Sequence, residues 1–380
     1  MKGKLMLSKA IIAAVLIVCM VSGNAFAATK KIKDIVKEEK IVTYDQAVQL
    51  AIDNNSTLRS LADTVELMED NKSLMHTTTY SSPNTNEEQF LFMSSSRLNS
   101  LVAMNSYDTG IKTSKLQSKI LKIGAEVSVK SFFGNIKDQE KQLQLLQKNY
   151  EIAQKQLLEG QTKLKLGVIS QNEFTTLQNT VKEMEQNIKL QELSIQDTYI
   201  ELNKLLGLDA DTVYDIQYDV TFEPLDLQTD IDTYVNKKVK TDVSLEIERV
   251  KAEDAKFGVN MFSDTGNGSS YNEKKNNEKT ANRSLMDAVE TKKKDIRTAY
   301  VQLQQMESKQ QNLEIALQNA KTDYQTAKVN YNVGNITETQ LKQAELAIIK
   351  AENDIQQNIL QYDMLRYTFD NTCLLSSSNS

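Results

Sequence analysis

Four stretches of this chain repeat core-type residues at alternating steps of three and four, a spacing that fits long, paired helices. The first runs Leu143, Leu146, Tyr150, Ala153, Leu157, Gly160, Leu164. The second runs from Phe174 through Leu177, Val181, Met184, Ile188, Gln191, Ile195, Thr198 and Leu202 to Leu205. The third goes from Ile296 to Tyr331 by way of Leu303, Gln310, Leu317 and Tyr324, and the fourth from Leu341 to Phe369 by way of Ile348, Ile355 and Tyr362. A strict heptad has a shorter period than a straight α-helix, so helices that keep such a seam in contact coil around each other left-handedly. Only 2 Pro, 12 Gly and no Trp occur in 380 residues, and good helix formers make up much of the rest. The expected fold class is therefore all-α, built of long antiparallel coiled-coil hairpins. Small seam residues such as Ala153, Gly160, Ala320 and Ala344 let helix axes approach closely. Gln191, Thr198, Gln310 and Asn358 are polar seam positions, which either set register or face water in a channel.

The breaks between seams are short and alike. Leu166-Gly167-Val168-Ile169-Ser170 separates the first pair and Val333-Gly334-Asn335-Ile336-Thr337 the second. Each puts a Gly where a helix should end, because Gly tolerates the left-handed C-cap conformation. Each then offers an N-cap, Ser170 or Thr337, with Glu173 or Gln340 three residues on to complete a capping box. Similar seams flank both turns, which reads as an internal duplication. The expected boundaries are a helical repeat at 41–208, a linker at 209–228 around Pro224, a second repeat at 229–373 and a disordered tail at 374–380. Each repeat opens with a shorter helix, the first from the capping box Thr43-Tyr44-Asp45-Gln46, the second within Asp230–Phe257. The polar stretches His76–Gly110 and Gly258–Arg283 are expected to be irregular, the second flexible.

The N-terminus has the form of an export signal. Lys2, Lys4 and Lys9 precede the apolar run Ile11–Val21, and Ala25-Phe26-Ala27 fits a cleavage site, giving a signal peptide at 1–27 and a linker at 28–40. A retained anchor and lipidation at Cys19 are the alternatives. Loss of three leader lysines takes the formal net charge from −6 to −9, which argues against a nucleic-acid partner. Cys373 is then the only cysteine, so no intrachain disulfide is available. His76 is the only histidine, so no multi-histidine metal site can form, and no residue pattern supports an enzyme or a cofactor.

The order short helix, interruption, long helix, Gly turn, long helix, carried out twice, resembles the TolC-like outer-membrane efflux family. The opening VTYDQAVQLAIDNNSTLRSLADTVE, the tips LGVIS and VGNIT, and the duplication carry the resemblance. It implies a homotrimeric helical tunnel, capped in that family by a β-barrel with four strands from each chain. It also implies docking of the tips to a periplasmic adaptor protein that links the tunnel to an inner-membrane pump, with a small-molecule or peptide as cargo. By the resemblance, Leu166, Gly167, Val168, Ile169, Ser170 and Val333, Gly334, Asn335, Ile336, Thr337 are the docking residues; the same turns also read as plain helix caps. Gln340 and Gln343 stand where well-known members narrow the tunnel with aspartates, and are candidate channel-lining residues.

One part of the family pattern is missing. A membrane strand takes roughly 9–11 alternating residues, and neither polar interruption offers a full pair, so barrel strands should be reduced or absent. Two functions compete: a passive efflux or secretion conduit in the cell envelope, in an outer membrane if the host has one, or a coiled-coil spacer or binding module that has lost its barrel.

Overall fold

The computed structural model describes residues 41–80, 95–261 and 271–375; the signal peptide, the Cys19 site and most of the expected tail lie outside them. A short strand β1 (Ile41–Thr43) leads into α1 (Tyr44–Asn54) and α2 (Ser56–Tyr80). The long helix α3 (Ser95–Lys165) turns back as α4 (Gln171–Leu206), followed by strand β2 (Asp215–Gln217). Then come α5 (Ile231–Thr241), α6 (Val243–Asn260), the long α7 (Tyr271–Asn332), its return α8 (Glu338–Asp370) and a 3-10 turn at Thr372–Leu374. At about 1.5 Å per residue, α3 with its 71 residues is about 105 Å long.

The heptad seams are where the helices meet. α3 packs on α4 and α7 on α8, and α8 also packs along α3. In the half that holds the tips the helices therefore lie side by side in the order α4, α3, α8, α7, alternating in direction. In the other half the order is α2, α3, α6, α7. Every seam residue is at least partly buried except Tyr331, which sits one turn from a tip and is 39% exposed. Asn358 is fully buried and donates to the Met306 carbonyl at 3.2 Å and to Gln310 Oε1 at 3.0 Å, a polar couple inside the α7–α8 seam. Gln191 spans the α3–α4 seam to the Gln139 carbonyl at 3.2 Å.

Two apolar clusters sit on one face of this layer. In the first, Val42, Leu50, Tyr214 and Ile216 pack on Val129, Phe133 and Ile136 of α3 and on Leu202 and Leu206 of α4. In the second, Val235, Val239 and Leu245 pack on Ile296, Ala299 and Leu303 of α7 and on Tyr362 and Phe369 of α8. The stretch 209–228 is thus more than a linker. It pairs β2 in parallel with β1, Val42 opposite Ile216, and lays Tyr214 and Tyr218 on the helices.

The interruptions are mostly helical. α2 runs on to Tyr80 and α3 starts at Ser95, while Tyr271–Arg283, expected to be flexible, is the start of α7. Its polar residues still include good helix formers; Lys275 pairs with Glu278 at 2.8 Å, and α7 lies along α6, which supplies the packing that an apolar stripe would otherwise announce. Among the described residues there is no barrel strand and no helix long and apolar enough to cross a membrane. The connections 81–94 and 262–270 are each shorter than two membrane strands of roughly 9–11 residues.

Candidate functional site: the paired helical tips

Both glycine turns close in the same way. Gly167 has φ 69° and Gly334 φ 79°, the left-handed region that Gly enters at little cost. Val168 N–H donates to the Lys163 carbonyl at 2.8 Å and Gly167 N–H to Leu164 at 3.0 Å; Asn335 donates to Asn330 at 2.8 Å and Gly334 to Tyr331 at 3.0 Å. These are Schellman motifs, which satisfy the carbonyls left over at a helix end. The next helices start with full capping boxes. Ser170 N–H donates to Glu173 Oε2 at 2.7 Å and Thr337 N–H to Gln340 Oε1 at 2.8 Å, each returned by the hydroxyl. The Ser170 backbone N–H, joined by its hydroxyl, holds the Glu173 carboxyl below the usual carboxylate range. A Cβ built on either glycine meets nothing within 4 Å, so the space above both turns is open.

The two tips lie together. Lys155 of α3 pairs with Glu338, and Thr339 Oγ1 donates to Glu159 Oε1 at 2.5 Å, both within the first turn of α8. Leu166, Val168 and Val333 are exposed at 73%, 67% and 65%, so the pair of tips ends in an apolar crown. Ile169 and Ile336, expected to project with them, are half-buried. Ile169 folds back toward Gly160, where the missing side chain leaves room in the seam for Leu177 and Phe174. Gln340 and Gln343 are both exposed on one face of α8, and the side chain of Gln340 is engaged in its capping box.

The layer has two open edges. Among the described residues no helix packs along the outer side of α4 or of α7. On α7 that side carries a second heptad-spaced stripe: Val301, Gln305, Ser308, Asn312, Ile315, Asn319, Thr322, Thr326, Val329. All nine are exposed and none is charged, in a chain whose residues are 25% charged. The matching stripe on α4 includes Leu190, Leu193 and Ile200, exposed at 63%, 52% and 37%.

No protein-family profile and no curated protein matches the chain. Solved structures do. The Campylobacter jejuni CmeC outer membrane channel superimposes with a TM-score of 0.65 at 14% identity, over 89% of this chain and 87% of that one. The Vibrio cholerae outer membrane protein VceC gives 0.62 at 11%, over 87% and 95%. This chain has the outer-membrane channel fold. Identity this low speaks for the fold alone, and the resemblance read from the tips and seams is met by it. Relative to that channel fold, the edges and the crown are the surfaces that the single chain leaves open.

A feature that the seams did not reveal lies midway along α3. The Lys130 ammonium pairs with Asp363 Oδ2 at 2.6 Å and stands 5.4–5.8 Å from the ring centres of Tyr44, Tyr218 and Tyr367. Tyr218 also donates to Asp363 at 2.8 Å, and Tyr367 donates to Glu126. Burial, with the charges of Asp363 and Glu126 added, pushes these tyrosine hydroxyls upward in pKa. One ammonium thus fastens α1, the 209–228 segment and α8 onto α3.

Proposed function

We propose that copies of this protein close into a ring, a homotrimer by the resemblance, and act as a passive conduit in the cell envelope after export through the N-terminal signal. The observation that carries the reading is the pair of open edges. A head-to-tail contact between different surfaces closes into a ring when its rotation permits. Here α4 of one copy would lie antiparallel to α7 of the next, continuing the alternation within the chain. Ile200 and Val301 each lie 33 residues from the glycine of their own hairpin, so the exposed apolar side chains fall at one height. The crown of Leu166, Gly167, Val168 and Val333, Gly334, Asn335 would receive an adaptor of a membrane pump, whose backbone can come close to glycine turns with no side chain above them. Energy would come from the pump and small molecules or peptides would be the cargo.

The spacer reading draws on one observation, the connections 81–94 and 262–270 that are too short for membrane hairpins. It separates from the conduit by mass. Residues 28–380 in detergent-free buffer, measured by light scattering after size exclusion, should have three times the chain mass. A monodisperse monomer would overturn the conduit and leave the spacer.

A further inference from the structure

We infer that the inner wall of the assembled tunnel is an amide-rich surface with no net charge, so that it passes polar cargo of either sign and does not select for cations. The inference rests on the ring reading above and concerns what that ring would admit.

The face that looks inward follows from what covers the other one. In each long helix the residue four places after the start of a heptad touches the elements on the layer. Phe133 of α3 lies in the first apolar cluster, and the Tyr199 ring of α4 meets Tyr214 edge-on at 5.6 Å. Glu307 of α7 accepts from Leu225 N–H at 2.8 Å, and Arg366 of α8 donates to the Glu223 carbonyl at 2.6 Å. All four helices therefore turn the same heptad position toward α1, α5 and the 209–228 segment. A ring with those elements inside would be plugged, so they lie outside and the opposite side of each seam faces the lumen.

The two sides differ in chemistry. The outer position carries Glu185, Glu192, Glu314, Glu345 and Glu352 against Lys321 and Lys328 on its uncovered part. The inner position reads Asn135, Gln142, Asn149 and Gln156 down α3, with Asn187 on α4 and Gln361 on α8. The inner charges balance: Lys163, Lys309 and Lys350 against Glu201, Asp323 and Asp354. Gln340 and Gln343 bring the same neutral amides to the tip, where a ring narrows most. Primary amides both donate and accept hydrogen bonds, whereas walls of a single charge sign raise the local concentration of counter-ions by tenfold or more. The acidity of this chain is thus placed mainly on the outer surface of the tunnel, away from its cargo.

Single cysteines test this in the full mature chain with Cys373→Ser. Ala316→Cys and Ala347→Cys lie on the inner face, both exposed in one chain, and Gln178→Cys lies on the outer face. Each is reacted with a cationic trimethylammonio-ethyl and an anionic sulfonato-ethyl methanethiosulfonate, with rates normalised to a free thiol. The inner cysteines should react with both within about threefold of each other, and Gln178→Cys should favour the cationic reagent. A cationic preference beyond about tenfold at the inner sites would overturn the neutral wall. A bulky polyethylene-glycol maleimide checks the ring separately: it should be excluded from Ala347→Cys and admitted at Gln178→Cys. Equal labelling of both would fail the tunnel reading itself, and the neutral wall with it.

Discussion

Replacing Lys130 by methionine should cost about 2–4 kcal/mol of stability, measured from the shift in chemical denaturation midpoint. Removing one partner of a buried ion pair costs roughly 3–5 kcal/mol. The lower range here reflects Asp363, whose side chain keeps 25% of its surface in solvent and one hydrogen bond from Tyr218. Methionine fills the space of the lysine stem, so the loss reports the ammonium: its pair with Asp363 and its position among three rings, each such contact worth about 0.5–2 kcal/mol. Asp363→Asn in the same chain should recover part of the loss, since no stranded carboxylate then remains. The exposed pair Lys155–Glu338 is the contrast, and Lys155→Met should change stability by no more than about 1 kcal/mol. A Lys130→Met chain as stable as the unmodified one would mean that the cluster is ornamental.

The second large effect is at Asp242, the corner between α5 and α6. Its Oδ1 caps α6 through the Leu245 N–H at 2.9 Å and accepts from Ser244, and its Oδ2 accepts from Thr372 Oγ1 at 2.6 Å. Lys292, nearly buried, stands 3.9 Å from the carboxylate and donates to the Thr372 and Leu375 carbonyls at 2.8 and 2.6 Å. One carboxylate therefore holds a helix start, the C-terminal turn and a buried lysine of α7. Asp242→Ala strips a cap and strands a charge, so a loss of about 3–5 kcal/mol is expected. Burial pushes the Asp242 carboxyl up, but the hydrogen bonds from Ser244, Thr372 and Leu245, with the Lys292 charge, outweigh it and hold the group below the usual carboxylate range. A depressed folded pKa contributes stability that is fully present above the unfolded value. That stability is lost as pH falls from about 5 through the folded value. Denaturation midpoints between neutral and strongly acidic pH should fall on acidification, and Asp242→Asn should flatten that fall. Equal acid slopes for the two chains would contradict the assignment.

Much of the architecture was written locally. The seam from Leu143 to Leu164 places α3 against α4, and the Gly and capping-box signals at 167–170 and 334–337 place both tips, because each depends on residues within a turn or two of one another. What depends on distant residues was hidden. Tyr44, Lys130, Tyr218, Asp363 and Tyr367 meet only after both hairpins have folded, and Asp242, Lys292 and Thr372 likewise. The pairing of Ile41–Thr43 with Asp215–Gln217 joins segments too short to carry an alternating pattern. Tyr271–Arg283 misled because its helix is an extension of α7 and not an amphipathic element in its own right. Ile169 was placed outward on hydrophobicity, while the room beside Gly160 draws it inward. The second stripe on α7 was legible in principle: an uncharged heptad on the face opposite a complete seam announces a second neighbour.

That neighbour is the centre of the account, and a disulfide can capture it. In a Cys373→Ser background, Ile200→Cys with Val301→Cys places one thiol on each open edge at the same height. Within one chain the two edges are separated by α3 and α8, so oxidation can join them only between copies. Mild oxidation should give a denaturing-gel ladder of dimer and then trimer that stops there, because the third bond closes the ring, while either single variant gives at most dimer. No crosslinking in the double variant, or a ladder that runs on past trimer, would contradict a closed ring of three built on these edges.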